Sequence, residues 1–200
     1  ALYSVDNGKE AFINSAEFFM SKTSTAIYNS EGVDVSYEKN SVSGEFIVQC
    51  ITPQDVEQYQ DFAYDDFDTE ALKKQAKEAL EMVQQRAQAT EAPEKGNYRL
   101  LLSGKEVGAL MDLYLERACV SMIYPGYSTY KKGMRLQGET VQGETLNLTL
   151  HASEPYSKEG IPMKDLSLIK NGELETIYGG TQFSYYLGVA PTGMYNAVHL

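Results

Sequence analysis

Tryptophan is absent from the 200-residue chain, and histidine and cysteine occur only twice each. No stretch approaches the roughly 18 to 20 consecutive apolar residues of a membrane span, and the first residues lack the basic-then-apolar order of a secretory signal. His151 and His199 lie too far apart in sequence to share a helix face, which disfavours a zinc site built on both. The absences predict a cytoplasmic protein with no membrane partner.

Basic residues are also scarce, since 17 lysines and arginines stand against 28 aspartates and glutamates, for a formal net charge of −11. Affinity for nucleic-acid phosphates comes mostly from clustered lysine and arginine. The densest basic pair near aromatic residues, Lys131-Lys132, is interpreted as part of a solvated turn. The charge balance therefore argues against direct binding of nucleic acid.

What the chain does contain is typical of a globular protein, with 42% hydrophobic residues, 22% charged residues and 15 tyrosines. The length suffices for one good-sized core or two small ones. Cys50 and Cys119 each lie among apolar neighbours. One disulfide between them is possible, but two buried free thiols are the preferred interpretation.

The first third of the chain alternates polar and apolar residues between turn signals, which predicts half-buried antiparallel strands. Strands are expected over residues 25–28, 33–37 and 45–51, and the turn residues at 29–32 join the first two. Residues 9–19 are ambiguous between strand and helix.

The stretch from 55 to 68 is acidic and aromatic. Because it contains no glycine, a calcium loop is disfavoured, and a strand followed by a helix with Asp68 as N-cap is expected instead. The helix carries one apolar face to about Ala89 and is broken at residues 90–96. This break is the best candidate for a boundary within the chain, although a helix-to-strand connection inside one domain is equally compatible with it.

Residues 97–102 are apolar enough for a central strand leading into a second helix. Ser103 followed three residues later by Glu106 predicts a capping box, in which each side chain accepts a hydrogen bond from the other residue's backbone N–H. The apolar residues that follow recur at helical spacing and predict a buried face: Val107, Leu110, Met111, Tyr114, Leu115 and Ala118.

Glycines and tyrosines dominate residues 121–143, which are expected to form a long irregular loop before a strand at 146–150. Asn171-Gly172 predicts a hairpin with a type I′ turn, and Thr181 is expected to cap a short helix. Together the elements predict an α+β fold, with antiparallel and mixed β-sheet and two long amphipathic helices.

Short motifs follow one another in the second half of the chain. They are Tyr-Ser-Lys-Glu-Gly-Ile-Pro at 156–162, Leu-Ile-Lys-Asn-Gly-Glu-Leu at 168–174, Tyr-Leu-Gly at 186–188 and Pro-Thr-Gly-Met-Tyr-Asn-Ala at 191–197. From about Asn29 to His199 the chain resembles the TldD/PmbA family, the candidate modulators of DNA gyrase. Family members are longer at both ends, so the resemblance implies that residues 1–200 are the central part of a PmbA/TldD-like protein, with a possible inner boundary near 90–96.

Catalytic members of that family carry His-Glu-x-x-x-His at the start of a helix, where this chain has Lys105, Glu106 and Leu110. A catalytic zinc needs three protein ligands, usually imidazoles or thiolates. Lysine is normally an ammonium without a lone pair, and leucine has no donor atom. The family's third ligand is a cysteine in a later segment, a place that neither Cys50 nor Cys119 occupies. The resemblance thus implies a degenerate motif with no catalytic residue, no metal and no cofactor.

Glu106 occupies the place of the family's catalytic base, but without a metal nothing activates a water for it, so capping is its preferred role. The resemblance implies a PmbA/TldE-like, metal-free partner subunit of a TldD-type peptidase, working as a heterodimer in the proteolysis of unfolded peptides. Self-association is the alternative to a TldD-like partner. Ser121, Tyr124 and Tyr127 are the candidate peptide-binding residues, because their segment follows the motif helix.

Two other functions stay open. One is an independently active, metallopeptidase-like hydrolase with unconventional ligands. The other is a stand-alone peptide-binding or scaffold protein.

Overall fold

The structure is a computed structural model that describes residues 1–8 and 10–200, and the chain folds into two compact units. The first unit comprises Ala1–Thr25 and Glu38–Tyr98. The second comprises Ala26–Tyr37 and Arg99–Leu200. The second unit is therefore discontinuous in sequence. None of the helices described by the structure combines the length and the apolar content that crossing a bilayer requires.

Three strands and one helix build the first unit, after a short 3-10 turn at Leu2–Ser4. The strands are β1 (Ala11–Tyr28), β2 (Asp34–Cys50) and β3 (Val56–Tyr64), and their order in the sheet is β1-β2-β3. β1 and β2 extend beyond this unit to the tip of their hairpin, where the Asn29 amide donates to the Val33 carbonyl at 3.1 Å. The expected strands at 25–28, 33–37 and 45–51 are thereby confirmed as parts of β1 and β2. The ambiguous stretch is strand from Ala11 onward, whereas Lys9 lies outside the described residues.

Helix α1 (Thr69–Ala87) begins where the sequence predicts. Oδ1 of Asp68 accepts from the amides of Glu70 at 3.0 Å and Ala71 at 2.9 Å, which satisfies two of the four unpaired N–H groups at the helix start. The core of the unit lies between α1 and the sheet. Its larger buried side chains are Phe46, Val48, Phe62, Leu72, Leu80 and Val83.

A second antiparallel sheet, with strand order β6-β5-β4-β7, forms the centre of the second unit. The strands are β4 (Leu148–Leu150), β5 (Leu166–Lys170), β6 (Glu173–Leu174) and β7 (Val198–His199). Three helices accompany them: α2 (Lys105–Ala118), α3 (Val120–Ile123) and α4 (Thr181–Leu187). Leu115 and Ala118 of α2 pack into a core made mainly of β4, β5 and β6 side chains.

The turn between β5 and β6 confirms the type I′ prediction, because Asn171 and Gly172 both have positive φ angles, of 52° and 77°. The α+β class and the two long amphipathic helices, α1 and α2, are confirmed as well. Cys50 and Cys119 are buried free thiols, as preferred.

The strand expected at residues 97–102 is wrong. Among the described residues, no backbone hydrogen bond involves positions 97–103, and Leu100 and Leu101 are 78% and 96% exposed. An extended apolar segment becomes a strand only where another strand pairs with it. The described chain supplies no such neighbour.

The capping box is wrong too. Helix α2 starts at Lys105 with Gly104 as N-cap, and no side chain caps it. Gly104 has a φ of 61°, an angle that glycine adopts without penalty. This turn starts the helix one residue later than predicted, so Ser103 lies outside it and its hydroxyl makes no cap.

Candidate functional site

The residues that the resemblance places at the zinc motif lie on the solvent side of α2. Lys105 and Glu106 are exposed in the first turn, and Leu110 is 55% exposed one turn further on. The prediction that Leu110 belongs to the core is wrong, because the buried face of α2 runs through Leu115 and Ala118 instead.

This set of side chains does not fit the zinc ion that the family motif would hold. A lysine ammonium and a leucine side chain have no electron pair for a metal, and Glu106 alone is one ligand where three are needed. Elsewhere in the part of the chain that the structure describes, no three His, Cys, Asp or Glu side chains converge well enough to hold a metal ion.

The two histidines, distant in sequence, lie side by side in the second unit. His151 directly follows β4, and His199 is in β7, which pairs with β4. Their ring centroids are 4.6 Å apart with the planes inclined by 30°, and Nδ1 of His151 is 3.2 Å from Oδ1 of Asp165. A hydrogen bond from the Ala152 amide, followed by the contact with His151, lowers the pKa of Asp165.

Tyr124 belongs to an exposed group of aromatic side chains that the sequence analysis missed. Its ring centroid is 5.0 Å from that of Tyr186 and 5.8 Å from that of Phe183. The ring centroid of Tyr185 is 6.1 Å from that of Tyr186. We call these four residues the aromatic platform. The exposed fractions of Tyr124, Tyr186 and Tyr185 are 48%, 52% and 79%, so one ring directly after α3 and two rings of α4 are exposed to solvent.

The other two candidate peptide-binding residues are placed differently. Oγ of Ser121 lies 3.1 Å from Sγ of the buried Cys119, so its hydroxyl is engaged toward the interior. Tyr127 is 72% exposed, and its carbonyl accepts from Arg117 of α2 at 2.6 Å. The start of the expected loop is therefore fixed to α2, and α3 occupies its first residues.

Helix α4, which carries three residues of the aromatic platform, is capped by a distant carboxylate. The prediction that Thr181 caps this helix is wrong, because Gly180 is the N-cap and Thr181 is the first helical residue. The amide and the hydroxyl of Thr181 both donate to Oε2 of Glu159 at 2.8 Å. A carboxylate in this place also interacts favourably with the helix dipole. The loop around Glu159 thus anchors α4.

Open cavities in the described part of the second unit include two that adjoin α2 and β6. One of about 510 Å³ adjoins α2 at Met111 and Tyr114 and is also lined by residues between 136 and 147 and by Leu200. The other, of about 360 Å³, lies beside β6 and is lined by charged side chains of both signs: Lys132, Lys170, Glu173 and Glu175.

Two protein-family models match the chain. The model of the PmbA/TldA metallopeptidase central domain matches residues 1–87, and the model of the PmbA/TldA metallopeptidase C-terminal domain matches residues 95–198. No curated protein matches the chain significantly.

Solved structures share the fold. A candidate modulator of a DNA gyrase from Thermotoga maritima MSB8 is 17% identical, with a TM-score of 0.76 over 96% of this chain and 46% of that one. Another from Bacteroides thetaiotaomicron VPI-5482 is 15% identical, with a TM-score of 0.74 over 98% and 47%. TldE from Thermococcus kodakarensis is 16% identical, with a TM-score of 0.65 over 96% and 44%.

These identities are low enough that the likeness to solved structures shows the fold alone, and the chain spans less than half the length of each. The family models, in contrast, cover nearly all of its residues, including the first 28, which the sequence motifs did not reach. The chain belongs to the PmbA/TldD metallopeptidase family.

Proposed function

We propose that the chain is part of a metal-free, non-catalytic partner subunit of a TldD-type peptidase complex that degrades or processes unfolded peptides in the cytoplasm. The observation that carries the proposal is the start of α2. Lys105 and Leu110 stand where catalytic relatives hold two imidazoles, and both face solvent without a usable donor atom. The protein needs no cofactor in this role.

Association with a catalytic subunit, or with a second copy, is supported by apolar side chains that are exposed near the same helix start. They are Leu100, Leu101, Leu102, Leu110 and Leu113, exposed by 44% to 96%. Large apolar side chains that are exposed in such number are often covered by a partner protein.

Peptide docking is the second part of the proposal. Tyr124 and Tyr127 present exposed rings just beyond α2, on a segment that Arg117 and Ser128 fix by hydrogen bonds. Ser121 contributes indirectly, through its contact with Cys119.

The test combines metal analysis with reconstitution. Untagged protein should contain no stoichiometric zinc, should not hydrolyse an unfolded peptide alone, and should co-purify with a homologue that carries His-Glu-x-x-x-His. Hydrolysis by that homologue should rise when this protein is added. One tightly held zinc per chain, lost on His151→Ala, would contradict the metal-free role.

The same assay distinguishes two alternative functions from the partner-subunit role. A hydrolase with unconventional ligands would have to rely on side chains such as His151, His199 and Asp165, which lie side by side without forming a group that could hold a metal ion, and it predicts hydrolysis by the protein alone. A stand-alone peptide-binding or scaffold protein is favoured by the aromatic platform, and it predicts peptide binding without co-purification of a catalytic subunit.

A further inference from the structure

The aromatic platform lies where two charge-free segments meet. Residues 118–130 and 176–198 contain no Asp, Glu, Lys or Arg, although such residues make up 22% of the chain. The fold packs α3 of the first segment against α4 of the second. Charged partners are selected by complementary charge, which these segments do not offer. The side chains that these two segments can offer a ligand are therefore uncharged, and the carboxylate at the start of α4, that of Glu159, is engaged by Thr181.

The platform offers ring faces and hydroxyl donors at the same time. Within the described chain, the hydroxyls of Tyr124, Tyr185 and Tyr186 have no hydrogen-bond partner, while the ring centroid of Tyr186 lies 5.0 Å from that of Tyr124 and 6.1 Å from that of Tyr185. A neutral ligand that matches both features needs flat apolar groups and open acceptors in alternation.

We propose that the aromatic platform binds an uncharged, proline-containing peptide segment in the polyproline II conformation. Such a segment has no internal hydrogen bonds, so its carbonyls are free to accept from tyrosine hydroxyls. Its pyrrolidine rings pack on aromatic faces, as in other grooves that recognise this helix. The inference rests on the peptide-docking part of the proposed function and names the class of peptide.

The size of the platform also favours a peptide over a second subunit. At about 200 Å² for a whole aromatic side chain, its three most exposed rings present roughly 400 Å². A standard protein–protein interface covers about 800 Å² on each partner. The platform is too small for a stable subunit contact by itself and suits a few residues of an extended peptide.

The inference is tested by fluorescence anisotropy with two labelled peptides, a decamer of proline and a decamer of alternating glycine and serine. The double variant Tyr124→Ser/Tyr186→Ser removes two rings, and Tyr124→Phe/Tyr186→Phe removes only their hydroxyls. Tyr28→Ser is the matched control, because Tyr28 is 69% exposed in the same unit but outside the platform. Circular dichroism checks that every variant is folded.

The proline decamer should bind and the glycine-serine decamer should not. Loss of both rings should raise Kd at least about tenfold, the usual effect of removing an aromatic anchor, and loss of the hydroxyls should raise it less. Tyr28→Ser should bind like the unaltered protein. If the serine variant is unfolded, the phenylalanine variant and Tyr185→Ser decide the matter, and unchanged affinity in both overturns the inference.

Equal binding of the two decamers, or platform-dependent binding of a single-stranded oligonucleotide, would also overturn it. So would loss of a dimer on sedimentation of the serine variant, because the platform would then be a subunit interface. Co-purification with a catalytic subunit is measured separately on the same proteins. Co-purification without proline binding rejects this inference alone, and proline binding without co-purification rejects the partner-subunit role.

Discussion

The contact between Glu159 and Thr181 predicts that a loop residue controls the stability of a helix 22 positions away. Replacing Glu159 with alanine removes the acceptor of two hydrogen bonds of 2.8 Å at the start of α4. The helix has no side-chain cap of its own that could take over.

The magnitude follows from the kind of contact that is lost. A helix N-cap contributes about 0.5 to 2 kcal/mol, and the interaction of a carboxylate with the helix dipole adds about 0.3 to 1 kcal/mol at an exposed site. Because Glu159 is exposed, solvent weakens both contributions. We expect Glu159→Ala to lower the free energy of unfolding by about 1 to 2 kcal/mol, and Glu159→Gln, which keeps a neutral acceptor oxygen, by about half as much.

Urea unfolding followed by circular dichroism measures the change. Glu139→Ala is the matched control, since Glu139 is an exposed loop glutamate that makes no hydrogen bond or ion pair among the described residues, and its loss should stay within about 0.5 kcal/mol. Glu159→Ala should also weaken binding of the proline decamer, because α4 carries Phe183 and Tyr186. Equal unfolding free energies for the Glu159 and Glu139 variants would refute the anchoring role.

Two further predictions follow from the structure. Glu106→Ala should lower the free energy of unfolding by no more than about 1 kcal/mol, because Glu106 is exposed and caps nothing, and only its interaction with the dipole of α2 is lost. The variant should leave partner-dependent hydrolysis intact; a collapse of hydrolysis in a stable variant would make Glu106 catalytic. Burial, together with the neighbouring Cys119, raises the pKa of Tyr178 well above its ordinary value. Because the pKa of Tyr178 is higher in the folded state than in the unfolded state, ionisation of this residue favours unfolding. The free energy of unfolding is unaffected by this ionisation below about pH 10 and falls by up to about 1.4 kcal/mol per pH unit above it. The free energy of unfolding, measured from pH 9 to 11, should decline less steeply for Tyr178→Phe than for the unaltered protein. Identical slopes would contradict the raised pKa of Tyr178.

The elements that the sequence predicted correctly depend on neighbouring residues. Asp68 caps α1 through amides two and three residues away, and Asn171-Gly172 forms its turn because both residues tolerate a positive φ. The wrong predictions concern contacts that a local pattern does not specify. Leu100 and Leu101 have the composition of a strand, but pairing is decided by a partner strand. Ser103 fits a capping box until the backbone angle of Gly104 moves the helix start.

The candidate site likewise has one feature that the sequence predicts and one that it does not. The lack of a metal-binding electron pair at Lys105 and Leu110 was visible in the sequence, because the chemistry of a side chain does not depend on the fold. The aromatic platform was not, because Tyr124 and Tyr186 come together only when α3 packs against α4. The sequence did show that residues 176–198 contain no charged side chain. This pattern indicates an uncharged surface but does not indicate which other segment packs beside it.

The discontinuity of the second unit has a consequence for how this part of the protein can be inherited or isolated. Ala26–Tyr37 supplies contacts that the unit cannot make from residues 99–200: Val33 lies so close to Gly160 that any side chain at position 160 would collide with it, and the Tyr37 hydroxyl donates to Glu154 at 2.7 Å. A cleavage or a gene fusion at residues 90–96 would leave that hairpin tip on the other fragment. Residues 99–200 therefore do not contain the whole of the second unit. Recombination within the family must exchange the hairpin tip together with these residues to preserve the contacts of Val33 and Tyr37.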